Sequence, residues 1–162
     1  MENLDFDPHK SILDFRKNYK LHDLAEAFGK NLLVQWGIEF EEFGNDNRYS
    51  KVWEKGKDKP DLIITYKSKQ ALLDWKGKHK AVWLANERAV ASYEEWKTKT
   101  KLEALVCFTV FNEDEKVVEA RLAAVGKHPY KLSNKKEWDK NRTVEFEGEL
   151  PLFTKANLLN LI

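Results

Sequence analysis

The chain has 162 residues, enough for one domain with a buried core and too few for two ordinary ones. Lysine and arginine (28) nearly balance aspartate and glutamate (27), leaving a net charge of +1 although 34% of residues are charged; this argues against a protein that coats nucleic acid through a broad basic field. One cysteine, Cys107 in the apolar run Leu105-Val106-Cys107-Phe108, excludes an internal disulfide framework, and the lack of any Cys-x-x-Cys or histidine-rich cluster argues against structural zinc.

In chain order, Asp7 to Phe15 reads as an opening turn with a short helical turn that packs as a cap. From Leu21 to Trp36 apolar residues recur at three and four (Leu21, Leu24, Ala25, Phe28, Leu32, Leu33, Trp36), which predicts an amphipathic helix stopped by Gly37. His22 and Glu26, four apart, share a face of it. Ile38 to Phe43 alternates apolar and acidic residues and predicts a half-exposed strand. Gly44 to Ser50 is turn-forming, and the stretch to Lys59 carries Arg48, Tyr49, Trp53 and several lysines. These suit either phosphate and base contacts or a solvated loop.

Lys59 to Tyr66 and Ala71 to Lys78 predict two strands joined by Lys67-Ser68-Lys69-Gln70. Pro60 cannot donate to a ladder and so suits a strand's first residue. Alternation sends Asp74, Lys76 and Lys78 to one face of the second strand and Trp75 to the other. The apolar Ala81 to Leu84 extends the ordered region. Asn86 then caps a helix that carries Glu87 in its first turn and ends at the lysine-rich Lys101.

Leu102 to Phe111 reads as a central strand buried on both faces, and Val117 to Val125 as its returning neighbour, ended by Gly126. The stretch 127–148 is polar, with an edge strand over Thr143 to Glu147. Ala156 to Ile162 predicts a terminal helical segment whose leucines cover either the sheet or a second subunit. The expected fold is α/β, a mixed central sheet flanked by helices in one domain over 1–162, with 127–162 a C-terminal extension.

Pro60-Asp61, twelve residues, then Asp74-Trp75-Lys76 resembles the PD-(D/E)xK nuclease superfamily, which includes restriction endonucleases and archaeal Holliday junction resolvases. The resemblance runs from Leu21 to Phe111 and implies the αβββαβ restriction endonuclease-like core. It also implies that Glu26 helps hold a metal ion, where an exposed helix glutamate is the alternative. His22, Lys78, Arg48, Tyr93 and Lys97 become candidate nucleic-acid contacts; the bland alternatives are a surface histidine, a core Tyr93 and a solvated Lys97. The implied partner is duplex or branched DNA, with a homodimer where both strands are cut.

The chemistry has its own logic. A phosphodiester yields to water once its charge is screened and the water is activated, and a divalent cation does both. Magnesium, or manganese in its place, needs few carboxylate oxygens, so Asp61, Asp74 and the Trp75 carbonyl suffice, with Glu26 in support. Lys76, two residues beyond Asp74 and on its face, is placed to orient or deprotonate the water, in a desolvated setting expected to lower its pKa. The expected function is therefore a metal-dependent DNA endonuclease; the alternative is a catalytically inactive nucleic-acid-binding or assembly subunit of the same fold. With no apolar run of about eighteen residues and no signal-peptide pattern at Met1 to Asp5, an intracellular, cytoplasmic protein without a membrane partner is expected.

Overall fold

The computed structural model describes residues 8–44, 58–136 and 142–162. The first helix, α1 (Pro8–Gln35), is longer than its apolar periodicity suggests. The stretch read as an opening turn belongs to the same helix, which tolerates Pro8 at its first position because no intrahelical partner awaits a donor there. The helix ends as expected at Gly37, whose φ of +72° suits a left-handed stop. Gly37 N–H donates to Val34 O at 3.1 Å and Ile38 N–H to Leu33 O at 2.9 Å, which uses carbonyls the helix end leaves open.

Strands β1 (Glu39–Glu42), β2 (Leu62–Tyr66), β3 (Lys69–Lys78), β5 (Glu103–Phe111) and β6 (Val117–Ala124) form a five-stranded sheet in the order β1-β2-β3-β5-β6. β3 and β5 are parallel and the other neighbours antiparallel, so the sheet is mixed. The parallel pair requires a crossover, supplied by helix α2 (Glu87–Thr100). Along the main sheet the order is the expected αβββαβ, with a short strand β4 (Leu84–Asn86) inserted before α2.

The β2–β3 turn is tighter than expected. Tyr66 pairs with Lys69, leaving only Lys67 and Ser68 between the strands, with Lys67 at a φ of +56°. Lys69 and Gln70 belong to the strand, and Gln70 Nε2 donates to Thr65 Oγ1 at 3.1 Å across the pair.

The polar stretch hides a second sheet. β4, β7 (Tyr130–Lys136) and β8 (Arg142–Phe146) pair in the order β4-β8-β7. The expected edge strand at Thr143 to Glu147 is thus the central one, and Leu84 to Asn86 pair with it. Burial explains both: Thr143, Val144 and Phe146 are buried, which suits a central strand better than an edge.

Two apolar layers flank the main sheet. On one side Leu21, Ala25 and Leu33 of α1 pack with Trp75, Cys107, Phe153 and Leu158. On the other, Ala89, Val90 and Tyr93 of α2 pack with Leu72, Val106, Phe108, Val144 and Phe146. The C-terminal leucines cover this chain's own sheet: Leu158, on α3 (Lys155–Asn160), is fully buried. The segment before α3 lines the β6 edge, with Leu122 N–H donating to Pro151 O and Phe153 N–H to Ala120 O, both at 2.9 Å. An edge so covered is closed to strand addition along that length. Among the described residues no helix is long and apolar enough to cross a membrane.

Candidate functional site

The site forms where β2 and β3 part company. Their ladder ends at Leu62 opposite Leu73, while β3 runs on to Lys78. Beyond that point the Asp61 side chain stands in for a missing strand residue. Its Oδ2 accepts Trp75 N–H at 2.9 Å, and its own N–H donates to Asp74 Oδ1 at 3.2 Å. From the β1 side, Phe43 N–H to Asp61 O (2.9 Å) and Gly44 N–H to Pro60 O (3.0 Å) hold the backbone of the Pro-Asp pair. Pro60 lacks only a donor and leaves nothing unpaired there.

Trp75 points to the α1 layer, as alternation requires, and its indole lies where a Cβ at Gly29 would be. Gly77 plays a similar part against the Leu21 backbone carbonyl. These close approaches bring α1 down on the end of β3 and set His22 beside Asp61, with Nε2 3.4 Å from Oδ2. A strand residue's N–H and C=O leave by the same edge. The Trp75 carbonyl therefore looks out on the side of Asp61, past the end of β2.

On the opposite face, Asp74 is 3% exposed and its Oδ2 lies 3.1 Å from Lys76 Nζ, an ion-pair distance, yet receives no well-angled hydrogen bond. The Tyr93 hydroxyl hydrogen-bonds the Asp74 carboxyl, and Lys76 Nζ stands 6.0 Å from the centre of the Tyr93 ring. Asp61, Asp74, Lys76, Trp75, His22 and Tyr93 are thus brought together.

The electrostatics follow from crowding two carboxylates out of water. Burial, and then the Asp61 charge, push Asp74 up to about 7 against the pull of Lys76. Burial alone would also raise Asp61, but the hydrogen bond and charge of His22 and the Trp75 N–H hold it below the ordinary carboxylate value. Lys76 corrects an expectation. Burial does act to lower its pKa, but the charges of Asp74 and Asp61 outweigh burial and raise it. His22 is raised in the same way, Asp61 overcoming desolvation.

The remaining candidates are placed less centrally. Glu26 pairs with Lys30 at 2.6 Å, and Lys30 reaches on to Glu42 at 2.8 Å. Ligand atoms of His22, Asp23 and Glu26 lie within 4.8 Å of one another, so Glu26 joins an acidic patch that meets the site through His22. Lys78 follows Lys76 on the same face, its ammonium 5.8 Å from the Phe108 ring centre. Tyr93 is 2% exposed and serves Asp74 from within the core, not from a surface. Lys97 does not join them: its Nζ donates to Val125 O at 2.9 Å and pairs with Glu103 at 3.2 Å, tying the end of α2 to the main sheet. Arg48, Tyr49 and Trp53 lie outside the described residues.

Asp58, Arg88 and Ser92 were not singled out by the sequence. Asp58 is 8% exposed, its N–H donates to Ser92 Oγ at 3.2 Å, and its charge acts on both Lys76 and Tyr93. Its signal was weak because Lys57-Asp58-Lys59 looks like any solvated charged run; only its place three residues before Asp61 sets it apart.

No protein-family model and no curated protein matches the sequence. Among solved structures, the chain is similar to Hjc, a Holliday junction resolvase of the hyperthermophilic archaeon Archaeoglobus fulgidus. The TM-score is 0.46 and the identity 14%, over 75% of this chain and 83% of that one.

Proposed function

We propose that the chain is a divalent-metal-dependent DNA endonuclease, with Asp61, Asp74 and the Trp75 carbonyl as metal ligands and Lys76 as the group that meets water and phosphate. One observation carries the reading: two buried carboxylates lie beside an ammonium, crowded enough that Asp74 is pushed up to about 7, and one Asp74 oxygen is left without a hydrogen bond. Such an arrangement costs stability on its own account, because a buried charge without full compensation is expensive. Hard oxygen donors suit magnesium or manganese. When bound, the ion screens the phosphate and lowers the pKa of a water.

The chain's own residues account for the rest. The Trp75 N–H and His22 fix the Asp61 carboxylate, and Asp61 N–H and the Tyr93 hydroxyl fix that of Asp74. Lys76, held protonated by both acids, donates hydrogen bonds from Nζ to the attacking water and to a phosphate oxygen as negative charge develops there. Glu26, whose carboxylate is near His22 on α1, would help to hold the ion. A junction or other branched duplex is the substrate class suited to a compact nuclease, and paired incisions would need two copies of the chain.

The test is magnesium-dependent cleavage of end-labelled linear, branched and single-stranded DNA. Wild type is expected to cut, and Asp74→Ala and Lys76→Ala to lose at least a hundredfold in rate. A wild type that binds DNA but cuts none of these substrates, with no affinity for magnesium or manganese, would make the chain a non-catalytic binding subunit.

A further inference from the structure

Asp58 is a buried carboxylate that the proposed chemistry does not use. At 8% exposure it needs a cation; its charge already acts on Lys76, and the cation in ion-pair contact with it among the described residues is Arg88, with Nε 3.6 Å from Asp58 Oδ2. Arg88 stands in the first turn of α2 with 41% of its side chain exposed. The guanidinium thus has an ion-pair contact on its Nε side, too long for a hydrogen bond, and its two Nη nitrogens have no partner among the described residues. A pair of this kind adds little to stability, since a half-exposed arginine gains little from the contact and a buried aspartate costs desolvation. What it supplies is an attraction on the Nε side that leaves available the Nη fork, which matches two phosphate oxygens.

Asp58 lies three residues before Asp61 and is fastened to Ser92 of α2, next to Tyr93, which touches Asp74. Arg88 lies five residues before Tyr93, whose ring faces the Lys76 ammonium, and so roughly 7.5 Å nearer the start of α2 along the helix axis. We infer that Arg88, oriented by Asp58, binds a backbone phosphate of the nucleic acid next to the one being cut. The inference rests on the nuclease reading for its ligand, and it adds a contact that the metal site does not require.

The experiment measures binding of a fluorescent duplex and a fluorescent four-way junction across a range of salt, with calcium replacing magnesium. Wild type is compared with Arg88→Gln, Arg88→Lys, Asp58→Asn and Lys155→Gln, the last removing a charge beside Tyr66 at the far end of β2. Arg88→Gln is expected to lose about tenfold in affinity and to lower the slope of log K against log salt by about 0.9. Arg88→Lys restores the slope without the full affinity. Lys155→Gln leaves both unchanged.

Asp58→Asn decides between orientation and bulk charge. Loss of a negative charge alone would tighten DNA binding, whereas loss of the grip on Arg88 weakens it. A wild-type slope for Arg88→Gln, or tighter binding by a folded Asp58→Asn, overturns the inference; if Asp58→Asn does not fold, the Arg88 variants decide alone. Cleavage in magnesium separates the two readings. Binding with the Arg88 effect but without cleavage sinks the nuclease and keeps the phosphate contact, cleavage with an unaffected Arg88→Gln does the reverse, and a wild type that neither binds nor cuts DNA sinks both.

Discussion

Asp74 concentrates the cost of the site in a single residue. Its pKa lies about 7 in the folded chain against 3.8 in the unfolded one, so the folded state holds this proton more tightly. Its stabilising contribution is complete below the unfolded value and is lost as pH rises through the folded one. Without added metal, the melting temperature of the wild type is therefore expected to fall between pH 5 and pH 8. His22, also raised, adds a slope of the same sign, so Asp74→Asn should flatten the profile without abolishing it. Magnesium or manganese should raise the wild-type melting temperature more at pH 8 than at pH 5, and should not raise that of Asp74→Asn. An equal response in both proteins would remove Asp74 from the metal site. Gly29 poses a second question of sign at this scale. In a free helix Gly→Ala gains about 1 kcal/mol, but a methyl here collides with the fully buried Trp75. Overpacking costs about 1–3 kcal/mol, so Gly29→Ala should lower the urea midpoint.

Among the elements, α2 divides its work between its two ends. The first two turns carry Arg88, Ser92 and Tyr93 towards Asp58 and Asp74, while the last turn is anchored through Lys97 to Glu103 and to the Val125 carbonyl. The resemblance made Lys97 a candidate for contact with the phosphate, with a solvated lysine as the alternative. The structure gives it a tie between α2, β5 and the end of β6, and Gly126 leaves the room for it, since a Cβ there would stand 2.7 Å from Lys97 Nζ. Lys97→Ala is expected to lower stability by about 1 kcal/mol, the worth of one hydrogen bond, with DNA affinity and its salt slope unchanged. Chemical denaturation and the binding assay read the two effects separately. The β2–β3 pair shows how an element ends to make a site: stopping the ladder at Leu62 frees an edge of β3 for the Asp61 carboxylate.

Across the whole molecule, the two apolar layers share one sheet, and residues beyond 127 contribute to both: Phe153 and Leu158 to the α1 side, Val144 and Phe146 to the α2 side. We therefore expect the chain to unfold as one unit. Tryptophan fluorescence and far-ultraviolet circular dichroism should trace coincident urea transitions. An early transition confined to one probe would make the C-terminal stretch a separate unit. The alternation that sets Asp74 and Lys76 against Trp75, the helix over Leu21 to Trp36 with its Gly37 stop, and the buried strand at Leu102 to Phe111 were all legible in the chain. Each depends on periods of two or 3.6 residues, which are local properties of the backbone. The early start of α1 and the strand at Tyr130 to Lys136 were not legible, because polar residues dominate both stretches and leave no period to read. The partners of Asp58, Lys97 and Tyr93, and the balance that holds Lys76 protonated, were decided by the packing of α1 and α2 on the sheet. Contacts between residues tens of positions apart, and the loss of water between them, exist only once those layers close.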